Sequence, residues 1–230
     1  MSKAVTIFIL SVVTVIVVVP LLWYVYENTP QPTGEIQFEL DTSPELVQGP
    51  CSKENISKTI DNVTFAIEPV ATFSGAFYVL SARHHYNSPV NELSPVDLCV
   101  AWGKVAEPQY LEHINFSIQA GRWCSWSWDS SIGLEKEYIN SHIANIHGIP
   151  STDNISKALK SVKKGQTVYV EGYLVNVYHQ GRCIARTSLT REDSDCEFLY
   201  LIKIIIGNKV YEGSTVLQYY SILFHFNHIY

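Results

Sequence analysis

The feature that most constrains this chain is an uncharged block at its start, Ala4 to Tyr26, 23 residues without an acidic or basic side chain. A helix needs about 20 apolar residues to cross the hydrocarbon of a bilayer, so the block is long enough to span. A cleaved signal peptide is the rival reading. It would show an apolar core of about 7 to 15 residues and a small-residue cleavage site. Here the run is longer and ends in Leu22-Trp23-Tyr24-Val25-Tyr26, bulky residues that suit a membrane–water interface. The retained anchor is therefore expected, with the bilayer as a partner through residues 4–26. Lys3 before the block and Glu27 after it leave the N-terminus in the cytoplasm and the body of the chain outside. The spacer Glu27 to Gly34 holds two prolines and no apolar residue, so it neither continues the helix nor packs.

The remaining length is sufficient for one domain, and 47% hydrophobic against 17% charged residues excludes a mainly disordered chain. The net charge of −6 and the absence of any basic run longer than Lys163-Lys164 disfavour nucleic acid as a partner. Five cysteines contain no Cys-x-x-Cys pair, so zinc-ribbon and thioredoxin signatures are absent and no metal is expected. One cysteine must stay unpaired in a monomer. Buried thiols are the simplest reading for most of them, and an exported domain would accommodate one disulfide.

Periodicity then divides the body. Thr167 to Val175, Arg182 to Leu189 and Cys196 to Ile206 read as an antiparallel meander, punctuated by Gly181 and by the polar cluster Arg191 to Asp195. Val63 to Phe73 and Ala76 to Ser81 flank Ser74-Gly75 and predict a hairpin. Leu93-Ser94-Pro95-Val96-Asp97-Leu98 carries a helix-start signature with Ser94 as cap. Ile114 to Gln119 and Arg122 to Trp128 read as strands around Ala120-Gly121, with Cys124, Trp126 and Trp128 on one face. Ile155, Ala158, Leu159 and Val162 follow helical spacing, with Thr152 or Asp153 as cap and Gly165 as stop. The expected class is α+β: one transmembrane helix, then a mainly antiparallel β domain with a few short helices. Expected boundaries are 1–26 anchor, 27–62 linker and irregular segment, 63–206 globular domain and 207–230 aromatic extension.

Chemistry is best sought in Ser141 to Pro150. Taken as one strand, it projects Ser141, Ile143, Asn145 and His147 from one face. His147 as base, Asn145 orienting it, Ser141 or Ser188 as hydroxyl and Arg122 or Arg191 stabilising negative charge would form a hydrolytic site. The bland alternative is a hydrogen-bonded polar cluster in a domain that only binds. In that reading Trp126 and Trp128, with Arg122, supply a contact surface for a partner in the envelope, and no cofactor is required.

Several motifs then appear in order: Leu93-Ser94-Pro95-Val96-Asp97-Leu98, Trp102-Gly103, Gly121-Arg122-Trp123, Ser141 to Pro150 as Ser-x-x-x-Asn-x-His-x-Ile-Pro, Gly172-Tyr173-Leu174-Val175, Thr187 to Arg191 and Cys196-Glu197. Together they resemble a family of bacterial proteins of unassigned activity that carry one N-terminal membrane segment. The resemblance spans about residues 70 to 206. It implies a single-pass protein of the inner membrane with its C-terminal domain on the periplasmic side, and conveys no catalytic role. Lys163 to Gly172 is similar to a strand-turn segment of bacterial single-stranded-DNA-binding proteins, which implies a partly open barrel of the oligonucleotide/oligosaccharide-binding (OB) type.

Overall fold

The computed structural model describes residues 40–49, 55–118, 122–190, 196–207 and 209–213. The expected anchor, residues 4–26, and most of the aromatic tail lie outside them. Among the described residues no helix is long and apolar enough to cross a membrane. The described chain is β-rich α+β. In order it runs β1 (Glu45–Gln48), β2 (Ile56–Ile60), β3 (Val63–His84), α1 (Pro89–Leu93), β4 (Val96–Ala101), α2 (Pro108–Leu111), β5 (Ile114–Ile118), β6 (Cys124–Trp128), α3 (Lys136–Ser141), β7 (Ile143–Pro150), α4 (Asp153–Ser161), β8 (Thr167–His179), β9 (Arg182–Ala185), β10 (Glu197–Ile206) and β11 (Lys209–Glu212).

Five of these strands close a ring. β3 pairs β4, β4 pairs β7, β7 pairs β10, β10 pairs β8, and β8 returns to β3 along thirteen positions, Phe65↔His179 to Tyr78↔Thr167. Every pairing in the ring is antiparallel except β7 with β10. The inner face follows from the two-residue period of a strand. Val96, Leu98 and Val100 of β4, Ala144 and Ile146 of β7, Val168 and Val170 of β8 and Leu199 and Leu201 of β10 share one buried cluster. α4 joins it through Ile155, Ala158 and Leu159, as its spacing predicts, and Thr152 Oγ1 caps it by accepting from Ile155 N at 3.3 Å. Residues of opposite parity, including Asp97, Cys99, Asn145 and His147, therefore point outward. The β5–β6 hairpin and the segment 129–142 cover part of that outer face with a second buried cluster.

Several expectations are corrected. No hairpin turns at Ser74-Gly75: β3 runs through it as one strand of 22 residues, because β8 pairs with both halves. The tight turn lies instead at Asp61-Asn62, both at positive φ, between β2 and β3. The helix expected at Ser94-Pro95 starts one Ser-Pro pair earlier. Ser88 Oγ accepts from Asn91 N at 3.2 Å to cap α1, and Val96–Ala101 is a wholly buried strand. The meander also rearranges: β9 and β10 both pair with β8 rather than with each other. Finally, Ser141 to Pro150 is not one strand, since Ser141 ends α3 and the strand begins at Ile143. The stretch 27–62, expected to be irregular, contains β1 and β2, which add to β3. β11 in the expected extension pairs with β10.

At Gly172 the backbone of β10 leaves no room for a side chain on β8. A β-carbon there would meet the backbone carbonyl of Tyr200, beside the bulge between Leu201 and Lys203. Neither partner is a flexible side-chain tip. Gly172→Ala is expected to cost about 1–3 kcal/mol, read as a lower urea midpoint with unchanged slope. An unshifted midpoint would mean that the ring yields at this point.

Candidate functional site

Asp97 is the centre of the outer-face cluster. It is the polar break in an otherwise apolar β4 and is 0% exposed. Antiparallel register sets it directly across from His147 of β7. Its two oxygens accept four hydrogen bonds, about the full capacity of a carboxylate. His147 Nδ1 donates to Oδ1 at 2.7 Å and His85 Nε2 to Oδ2 at 2.7 Å. Arg122 forks onto both, Nη2 to Oδ1 at 2.5 Å and Nε to Oδ2 at 2.9 Å. Arg122 Nη2 also binds the carbonyl and the hydroxyl of Ser94, tying α1 to the same point. Burial works to raise the Asp97 pKa. The hydrogen bonds and charges of His147 and Arg122 outweigh it and hold the carboxyl below its ordinary range. Burial pushes His85 down, and Asp97 only partly opposes this.

Because a carboxylate only accepts, His147 must carry its proton on Nδ1 when neutral. Nε2 is then the acceptor. The ring stacks on Phe198 of β10, centroids 4.5 Å apart. Asn145, two residues earlier on the same face, reaches three groups through Nδ2: Arg122 O at 2.9 Å, Cys196 Sγ at 3.0 Å and His147 Nε2 at 3.4 Å. The carbonyl of Arg122 can only accept, which fixes the amide orientation. Asn145 Oδ1 is buried and has no hydrogen-bond partner among the described residues.

Beside this cluster lies a cleft of about 450 Å³, lined by α1 (Val90, Leu93), Ser94, Arg122, Trp123, His147, Val177, Ile184 to Arg186, Cys196 and Phe198. Its lining is mainly apolar, with His179 and the exposed Arg186 among its polar members. Of the five large apolar side chains exposed among the described residues, Val90 (48%), Trp123 (52%) and Ile184 (44%) all line it.

The expected site residues separate. His147 and Asn145 stand together, as their spacing implies. Ser141 does not join them: its Oγ donates to Tyr138 O at 3.1 Å at the end of α3. Ser188 Oγ donates to Thr190 O at 2.7 Å. Arg191 lies outside the described residues. Arg122 is at the site with its guanidinium committed to Asp97. Strand β6 begins only at Cys124, leaving Arg122 at φ 69 before it. Trp126 and Trp128 pack against the second cluster, and Trp126 Nε1 donates to Asn140 Oδ1 at 3.1 Å. Trp126 also borders a shallow depression of about 270 Å³ with Phe116 and the serines of β5 and β6. The tryptophan at the cleft is Trp123.

Asp97, His85 and Cys196 are absent from the sequence-derived site. Asp97 has a signal in retrospect, as the one charge in a buried apolar run. For Cys196 the signal is its place at the head of a strand beside Glu197.

Two other groupings carry less. His113, Asp129 and Ser131 form a serine–histidine–aspartate set, yet Asp129 and Ser131 both contact the same ring nitrogen, Nδ1, at 3.0 and 3.1 Å, so no relay passes through the ring. Hydrogen bonds from Ser131 and His113 hold the exposed Asp129 down at about 2. Among the described residues no group of three or more His, Cys, Asp or Glu is arranged to hold a metal ion. No family model, curated protein or solved structure matches the chain.

Proposed function

We propose that the chain is a single-pass, membrane-anchored envelope protein whose outer domain is a binding module on an OB-type barrel, taking an apolar ligand segment into the cleft beside His147. The observation that carries this reading is the clustering of Val90, Trp123 and Ile184, exposed apolar residues from three separate segments, around one concave site. Numbered within the ring alone, the strands run 1-2-3-5-4 and back to 1, with the third and fifth parallel and a helix between the third and fourth. That order supports the OB-type reading. The cleft is lined by the ring's third, fourth and fifth strands, through His147, Val177 and Phe198, and by the 1–2 and 4–5 connections, through Leu93 and Ile184; those two connections are the loops with which barrels of this kind hold their ligands. The anchor reading rests on residues 4–26, and the Cys99–Cys124 disulfide agrees with an oxidising outer compartment.

The test uses the full chain in detergent, labelled with 5-fluorotryptophan and titrated with N-hexanoylglycine as the apolar probe. The Trp123 resonance, assigned through Trp123→Phe, is expected to shift saturably while those of Trp126 and Trp128 stay in place. Ile184→Asp is expected to weaken binding about tenfold, the equivalent of losing part of one buried aliphatic contact. A static Trp123 resonance, or equal shifts at all tryptophans, would overturn the reading.

A further inference from the structure

We propose that Cys196 is a nucleophile for acyl transfer, with His147 as its general base, acting on an activated acyl group whose chain lies in the cleft; this rests on the binding reading above. Three observations converge on the thiol. Cys196 is outside the disulfide, is mostly buried and lines the cleft wall beside His147. The parallel register Phe198↔His147 brings the start of β10 alongside β7 on the same outer face. A single nitrogen, Asn145 Nδ2, lies 3.0 Å from Sγ and 3.4 Å from His147 Nε2, so sulfur and ring nitrogen are no farther apart than those two legs end to end. Asp97 fixes the other ring nitrogen as the donor, which leaves Nε2 to receive a proton on the sulfur side.

The chemistry balances without a co-reactant other than water. The thiol proton passes to Nε2 and the sulfur lone pair forms a bond to the acyl carbon. The carbonyl electrons move to oxygen and return as the bond to the leaving oxygen or sulfur breaks. That atom departs with the proton from Nε2; when it is weakly basic it departs as an anion and Nε2 releases the proton to solvent. Water then adds to the thioester carbon and gives its proton to Nε2. The sulfur leaves and regains the proton, restoring the thiol. The Asn145 amide donating to Sγ favours the anionic sulfur, as hydrogen bonds to a charged form do. Apolar walls admit the acyl chain and limit competing water.

The experiment uses the full chain with Cys51→Ser and Cys183→Ser, which removes the other two cysteines outside the Cys99–Cys124 disulfide, and p-nitrophenyl hexanoate as the probe. Expected are a burst of p-nitrophenolate approaching one equivalent and a hexanoyl adduct on the Cys196 peptide by mass spectrometry. Cys196→Ser should remove the adduct. His147→Ala should slow acylation about a hundredfold and move its pH profile toward that of an ordinary thiol. Absence of the adduct while Trp123 still responds to N-hexanoylglycine overturns the nucleophile and leaves the cleft reading standing. An adduct forming equally fast in His147→Ala also overturns it, because Cys196 would then be only a reachable thiol. A static Trp123 resonance removes the binding reading and this proposal with it.

Discussion

Asp97→Asn is expected to lower unfolding free energy by about 3–5 kcal/mol, the range for breaking a buried ion pair from one side. The substitution is nearly isosteric, so the loss reports hydrogen bonding and charge rather than volume. An amide has one acceptor oxygen and presents two N–H groups where the carboxylate accepted from His147, His85 and Arg122. The Arg122 guanidinium, whose side chain is only 21% exposed, would be left without its counter-ion. Urea titration at pH 7 reads the loss, and acid titration tests its cause. The folded Asp97 pKa is depressed, so its contribution is present above the unfolded value of about 3.9 and is lost as pH falls through the folded one. The gap between native protein and variant should therefore narrow below about pH 4. His85 is depressed chiefly by burial. The unfolded chain binds its proton first, and stability should begin to decline as pH drops below about 6.5. A gap constant down to the acid transition would mean that shape, not charge, explains the variant.

How far the sequence discloses this site depends on which interaction fixes each residue. Within one strand, alternation suffices: it puts Asn145 and His147 on one face without knowledge of any neighbour. Between strands it fails, because what stands beside His147 is decided by register. Asp97 lies fifty positions away in the chain and Cys196 forty-nine, and they arrive through the β4 and β10 pairings. The misassigned helix at Ser94 has the same origin. Ser88-Pro89 and Ser94-Pro95 carry equal local signals, and only the burial of Val96–Ala101 between β3 and β7 decides for the first. Local turns were readable where a backbone conformation demands a residue type, as at Gln180-Gly181, which joins β8 to β9. The closed ring was not, since β3 with β8 is a contact of long sequence separation that no local pattern marks.

Removing the Cys99–Cys124 disulfide is expected to cost about 3.5 kcal/mol, the loop-closure estimate for a separation of 25 residues. Its position gives the loss a second consequence. Cys99 stands two residues beyond Asp97 on β4, and Cys124 two beyond Arg122, so disulfide and ion pair fasten the same two segments side by side. The disulfide half-cysteines sit in the second cluster, where β6 packs over β4. The ion pair closes the adjoining end, next to the cleft. With the covalent tie gone, Arg122 must be held on Asp97 by its own hydrogen bonds while the β5–β6 hairpin moves against β4. Cys99→Ala with Cys124→Ala should therefore lower the urea midpoint and also broaden the Trp123 resonance, since Trp123 lies between Arg122 and Cys124. Adding Asp97→Asn should then cost less than it does in the disulfide-bonded chain, because two fasteners of one seam are not independent. Simple additivity of the two losses would show that disulfide and ion pair hold separate parts of the outer face.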